Sequence, residues 1–248
     1  MNEVLRQIKA RKSVRVFENK PIDEETKKEI LNAAFEAPTA GAMMLYTILD
    51  VSDQLLKEKL AITCDNQPFI AKAPLVLIFL ADYQRWFDAF CYAECKPRKP
   101  GEGDILLACA DALIAAQNTV VAAESLGVGS CYIGDIVENC ETVRELLELP
   151  EYVMPAAMVV YGYPTPSQKK RKKPARFEKK YIVFENKYQR LNKEEHEEMH
   201  RTLNEKLGLA DKDISATIKA LCKRKYMSDF SLEMTRSIAE YLKKFRSE

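Results

Sequence analysis

Residues 104–125 read DILLACADALIAAQNTVVAAES, and this stretch decides the fold. Ala and Leu dominate it, so it predicts a helix, and apolar side chains cover almost its whole circumference. A helix that is apolar all round must be buried on nearly every side. One domain of this size rarely encloses a helix so fully. A second copy of the chain is a natural cover for the remaining face; the alternative is a central helix in a monomeric core. Asp104, Asp111 and Gln117 interrupt the run, so it falls short of the ~18 apolar residues of a membrane span.

Outward from this helix, apolar strands alternate with shorter helices. MLYTILDV (44–51), APLVLIFLAD (73–82) and MPAAMVVYGYP (154–164) read as buried strands, and LGVGSCYIGD (126–135) as a glycine-punctuated loop with a short β segment. Helices are expected over 2–10 and over 23–34, the latter with Asp23 as cap, and after Ser52. DIVENCETVRELLELP (135–150) reads as one helix stopped by Pro150. Helices alternating with four strands up to about residue 164 predict a layered α/β or α+β sheet domain. Beyond it, SQKKRKKPARFEKK is strongly basic, YIVFENKY (181–188) has strand composition, and the chain from Leu191 is charged and helical. Such a tail cannot build a core of its own.

The 248 residues suffice for one sizeable α/β domain or two small ones, and 47 % are hydrophobic. A net charge of +1 argues against a general nucleic-acid binder. Seven scattered cysteines in apolar surroundings, Cys109 and Cys131 among them, suit reduced, buried thiols of a cytoplasmic protein rather than a disulfide framework. The polar start MNEVLRQIKARKS has no apolar h-region.

Three clusters have the chemistry to bind a ligand. Arg11, Lys12, Ser13 and Arg15 bring three cations and a hydroxyl into five residues; this is either a compact anion site or a solvated basic surface. Ala37-Pro38-Thr39-Ala40-Gly41 is a turn of small residues that lets a flat ligand approach the backbone, or simply a helix-to-strand turn. Gly127 to Gly134 exposes backbone amides able to donate to an anion or an electron-rich ring atom. It follows a helix, so it is not a dinucleotide fingerprint. Other groupings carry less. His196 and His200 stand four apart among acids and lack a third ligand, Cys91 and Cys95 have no second pair, and Trp86, Phe87 and Phe90 have the spacing of core aromatics.

In order along the chain, Arg-Lys-Ser-Val-Arg-x-Phe, Ala-Pro-Thr-Ala-Gly, the Ala-rich helix with Gln117-Asn118, and Leu-Gly-Val-Gly-Ser-Cys-Tyr-Ile-Gly resemble the nitroreductase family of FMN enzymes, over roughly residues 3 to 180. The resemblance implies an α+β three-layer sandwich with a central, mostly antiparallel sheet, dimeric through its long helix. Residues 1–180 would form the FMN-binding domain and 181–248 a C-terminal extension packed on the dimer. It implies FMN as cofactor, with Arg11, Lys12 and Ser13, and Arg15 beside them, at the phosphate and ribityl chain. Lys173 and Arg176 would add to the phosphate site. Pro38, Thr39 and Ala40 would line the flavin from the partner subunit. Ile133 and Gly134 would offer amides to the N5 and O4 edge, and Gln67 would meet the pyrimidine edge. Lys72 and Arg85 are further candidates for a cation at N1 and O2.

The implied activity is hydride transfer from NADH or NADPH through FMN to an electron-poor acceptor (a nitroaromatic, quinone or flavin), with no protein nucleophile and no metal. A flavin-fragmenting or dehalogenating enzyme on the same fold, or a flavin-binding protein without catalysis, are the alternatives. One departure stands out. Many members carry Asn and Gln just after the small-residue turn, and here Ala42 and Met44 stand in that stretch.

Overall fold

The computed structural model describes residues 2–246. They divide into two compact units, residues 2–171 with 232–246, and residues 172–231. A single division at residue 180 was expected; the units part at 171/172 and again at 231/232.

The first unit is built on a four-stranded sheet of β1 (Tyr46–Asp50), β2 (Leu75–Asp82), β3 (Gly129–Ile133) and β4 (Val153–Gly162). The order is β1-β2-β4-β3, and every neighbouring pair is antiparallel. All eight residues of β2 are buried, as its unbroken apolar run demands. Val76, Ile78 and Leu80 face one core cluster with Leu60, Ile136 and Val143. Leu75, Leu77 and Phe79 face the other, with Ile30, Ala112, Ala116 and Val120. The sheet is therefore the middle of three layers, flanked by α2 (Glu24–Phe35) and α5 (Glu102–Ser125) on one side and by α3 (Gln54–Thr63) and α6 (Cys140–Leu146) on the other. Before α2 come α1 (Glu3–Ala10), and between β2 and α5 lies α4 (Gln84–Tyr92).

Caps fall where composition placed them. Asp23 accepts from Thr26 N at 2.8 Å and Asp53 from Leu56 N at 2.6 Å, each satisfying an orphan donor of its helix. α5 lays Ala108, Ala112, Ala115, Ala116 and Ala123 against the sheet, and small side chains there allow close approach. Contrary to the expectation drawn from Asp104, Asp111 and Gln117, it is long and apolar enough for a membrane span, but nine of its residues are buried in the core and one face is open: Leu106, Leu107, Leu113 and Ile114 are exposed. α1 likewise buries nothing and exposes Val4, Leu5 and Ile8.

Several expectations need correction. Residues 135–150 are not one helix. A 3-10 turn (Gly134–Val137) precedes α6, and Asn139 breaks the run in left-handed conformation, φ 49°. Asn tolerates that region because its side chain can bond locally, and here Nδ2 donates to Thr63 O at 2.9 Å. Residues 181–188 form no strand: a 3-10 turn ends at Tyr181, and Ile182 and Val183 are exposed. The segment lies in the second unit, which holds no strand among the described residues, and strand composition alone, with no partner strand, makes none. All seven cysteines are free, but Cys91, Cys95 and Cys222 are exposed, not buried. Cys91 lies in the last turn of α4, Cys95 just after it and Cys222 at the end of α9.

After α7 (Pro166–Lys170), the second unit holds α8 (Lys193–Lys206), α9 (Ile214–Leu221) and a π-helical turn at Cys222–Tyr226. α10 (Asp229–Leu242) starts there, and its part from Leu232 onward belongs to the first unit. Tyr241 and Phe245 are fully buried in a third cluster with Leu45, Ile105, Tyr152 and Met154.

Candidate functional site

Two glycines set the N-terminal basic cluster in place. A Cβ on Gly129 would lie 2.5 Å from Val14 Cγ2, and one on Gly162 would lie 2.5 Å from the Phe17 ring. Val14 and Phe17 therefore plug into positions that only glycine leaves open. Ser13 bridges to Ser130 and Val14 N donates to Ser130 O at 2.9 Å, so residues 13–17 run along the end of β3 and β4. The cations alternate with these plugs and are left facing outward or half-buried.

Their partners differ. Lys12 Nζ donates to the carbonyls of Lys169 and Arg171, both at 2.6 Å, closing the loop after α7 onto the cluster. Arg171 returns a guanidinium bond to Ser13 O. Arg15 lies over the Phe69 ring, 5.9 Å from its centroid. Arg11 is different: its Nη1 is buried with no hydrogen-bond partner, and so is the hydroxyl of Ser130 nearby in the fold. A buried, unpaired guanidinium N–H is costly, and an anionic group is the kind of partner that suits it.

Beyond Phe69 the chain reaches the second feature. Gln67 Nε2 donates to Cys64 O and to Asp135 Oδ2, both at 2.9 Å. Both amide hydrogens are thus used, which leaves carbonyl Oε1 as the acceptor for anything outside. Asp135 directly follows Ile133 and Gly134, where β3 passes into its 3-10 turn. Gly134 is exposed, and a Cβ there would meet nothing within 4 Å, so the space over this backbone is open.

The small-residue turn lies elsewhere. Asp111, buried in α5, accepts from Thr39 Oγ1, from Ala40 N at 3.0 Å and from Leu45 N at 3.2 Å, while Thr39 Oγ1 accepts from Met44 N at 2.8 Å. Arg11 instead lines a small cleft with Gln117, Val121 and Glu124. Asp111 and Glu124 are thirteen residues apart on one helix, roughly 20 Å along its axis. One chain therefore keeps Pro38, Thr39 and Ala40 away from Arg11, Lys12 and Ser13.

A model of the nitroreductase family matches residues 8–163. The chain belongs to the nitroreductase family. A Staphylococcus aureus NADPH-dependent oxidoreductase is 31 % identical over 183 residues, which cover 73 % of this chain and 72 % of that protein. Among solved structures, nitroreductase A from Vibrio parahaemolyticus is 28 % identical with a TM-score of 0.82, covering 98 % of this chain and 97 % of its own. The NADPH:FMN oxidoreductase from Vibrio harveyi, complexed with NAD+, is 28 % identical with a TM-score of 0.74 and covers 90 % and 97 %.

Family membership gives the two features a common frame, and the residues fit a flavin mononucleotide. The unpaired Arg11 Nη1 suits its phosphate, the Ser130 hydroxyl its polar chain, and the open backbone at Gly134 a flat ring. Among the nitroreductase-family positions read from sequence, Lys173 and Arg176 fall in the second unit, where Arg176 Nη1 donates to Pro174 O at 3.0 Å. Lys72 is exposed before β2. Arg85 Nη2 donates to Tyr46 O at 3.1 Å and Thr47 Oγ1 at 2.6 Å and pairs with Asp82, while half of its side chain stays exposed. Trp86 donates to Met43 O at 2.7 Å and packs with Phe87 on the third core cluster.

Two contributors were given no role from sequence. Asp111 was visible as the lone acid inside an apolar helix. Arg171 sat in a basic run without a periodicity to single it out. At the departure, Ala42 and Met44 both take left-handed backbone, φ 57° and 49°. Asn is favoured there and Ala and Met are not, so the hydrogen bonds to Asp111 and Thr39 offset local strain.

Proposed function

We propose that this chain is an FMN-dependent oxidoreductase passing hydride from NAD(P)H to an electron-poor acceptor such as a nitroaromatic, a quinone or free flavin, by a ping-pong cycle. The observation that carries the reading is the buried Arg11 guanidinium nitrogen without a partner, beside the start of β3, with the open Gly134 backbone following the other end of the same strand. The S. aureus relative's dependence on NADPH supports NADPH as donor.

Bound FMN supplies the ring that accepts hydride and gives it up again. The protein's part is binding and electrostatics. Arg11 pairs with the phosphate, and Ser13 and Ser130 add hydroxyls. Lys12 holds the 169–171 loop closed, and its charge and that of Arg171 add to the positive field. Lys173 and Arg176 extend the basic run that continues from this loop. The backbone at Ile133 and Gly134 offers N–H groups to the electron-rich edge of the ring, where negative charge develops on reduction. Gln67 Oε1 accepts from the pyrimidine edge.

Pro38, Thr39 and Ala40 complete the site of a second copy. The open faces of α5 and α1 support that dimer. Fully covering one Leu or Ile side chain contributes about 1.5–3 kcal/mol, and seven such apolar side chains are exposed on these two helices. The pairing brings the turn of one copy to the basic cluster of the other, across the ~20 Å that separates them in one chain.

Initial-rate kinetics test the proposal. With NADPH varied at several acceptor concentrations, double-reciprocal plots are expected to be parallel, with turnover across a panel of quinones and nitroaromatics. Intersecting lines, or oxidation of NADPH by no acceptor, would contradict it.

A further inference from the structure

Glu138 is 3 % exposed, and its Oε1 is buried with no hydrogen-bond partner. Its carboxyl is in side-chain hydrogen-bond contact with Asp135. Two ionised carboxylates offer each other only acceptors, so the contact is satisfied when one of the two carries a proton. The backbone places them together: Glu138 N donates to Asp135 O at 3.0 Å where the 3-10 turn ends, and the next residue, Asn139, is left-handed.

The surrounding charges are acids. Asp135 lies on the same turn, Asp65 on the loop after α3, and Glu233 on α10. Glu233 is itself bound by Arg236 at 2.8 Å and accepts from Asn139 N at 3.0 Å. From α3 the Cys64 thiol, pushed up to about 12 by burial, contributes no charge. Burial, then Asp135, raises the Glu138 carboxyl to about 8. Asp135 also receives Gln67 Nε2, and it follows Gly134 in the chain.

We propose that Glu138 and Asp135 share one proton behind the Gly134 amide and act as a positioning pair that sets the charge presented to the flavin edge. This rests on the assignment of Gly134 and Gln67 to the flavin. When the shared proton leaves to solvent, the pair gains one negative charge. That charge opposes the anionic cofactor and pulls the Gln67 amide more tightly onto Asp135. No other reactant is required.

Two measurements test it, one without cofactor. Infrared spectra of the apoprotein at pH 7 are expected to show a protonated carboxylic-acid carbonyl band that Glu138→Gln removes; absence of the band in the wild-type protein overturns the shared proton. FMN titrations at pH 6.5 and 9 then read the coupling. Wild-type affinity is expected to fall about three- to tenfold more over this interval than that of Glu138→Gln, for a unit charge at an effective dielectric near 20. FMN's own ionisations are common to both proteins and drop out of the comparison. Asp135→Asn is expected to flatten the profile in the same way, and guards against misfolding of one variant. A uniform loss of affinity at both pH values marks a purely structural role and overturns the coupling. A wild-type protein that takes up no FMN at either pH overturns the flavin assignment as well, and leaves the infrared result standing.

Discussion

Asp111 is 3 % exposed in a helix of Ala and Leu, and its carboxylate holds the turn from Thr39 to Leu45 through three donors. Asp111→Ala leaves Ala40 N–H, Leu45 N–H and the Thr39 hydroxyl without their acceptor. At about 1–3 kcal/mol for each buried unsatisfied group, a loss of about 3 kcal/mol or more is expected in a denaturant melt, with Asp111→Asn milder. An unchanged midpoint would show that water replaces the carboxylate. Arg11→Ala is expected to keep the fold and weaken FMN binding by about ten- to a hundredfold, the worth of one charge-assisted hydrogen bond. Full flavin retention in a fluorescence titration would remove Arg11 from the phosphate site. At this scale the sequence was partly legible. Arg11, Lys12 and Ser13 stood out because cations cluster visibly. It could not show that Lys12 spends two donors on the carbonyls of Lys169 and Arg171, since that contact spans more than 150 residues. The role of Asp111 was hidden for the same reason, its partners lying some seventy residues away.

The strand ends β3 and β4 place the basic cluster, and they do so through glycine. Gly129→Ala sets a methyl 2.5 Å from Val14 and forces residues 13–17 off the sheet. A loss of about 1–3 kcal/mol is expected, accompanied by weaker FMN binding, although residue 129 touches no ligand in this account. Stability lost with FMN affinity intact would detach the plug from the site. The turn after β3 gives a pH dependence. Glu138 has a carboxyl raised from 4.5 to about 8, chiefly by burial. The folded state therefore holds a proton that the unfolded chain has released, and the stabilisation is complete below pH 4.5 and is lost as pH rises to about 8. In Glu138→Gln, unfolding free energy should be flatter over this window; an identical slope would exclude Glu138 as its source. β2 and α5 were readable because unbroken apolar runs leave few alternatives. The split of 135–150 was not, because composition favours helix throughout and only the tertiary hydrogen bonds of Asn139 break it. Residues 181–188 failed for the opposite reason: they have strand composition but sit in a unit with no strand among its described residues.

Across the whole molecule, the proposed site draws on two copies. The site as read in one chain is divided along α5, and α5 and α1 expose Leu106, Leu107, Leu113, Ile114, Val4, Leu5 and Ile8. Leu106, 73 % exposed, is the sharpest probe. Leu106→Glu places a charge in the proposed interface and is expected to give monomers by sedimentation, with loss of flavin from the same preparation. A monomeric variant that still binds FMN fully would show that one chain suffices. The nitroreductase-family layers were legible from the order of four motifs and the alternation of strands and helices. The second unit was not, because a charged helical tail carries no periodicity that says where it begins or that its last helix rejoins the core.

The visible absorption spectrum of the purified protein, reconstituted with FMN and then mixed anaerobically with NADPH, tests the central claim most directly. A yellow protein is expected, with flavin bands that bleach on reduction and return when a quinone is added. A protein that stays colourless in excess FMN, or a bound flavin that NADPH leaves oxidised, would contradict it.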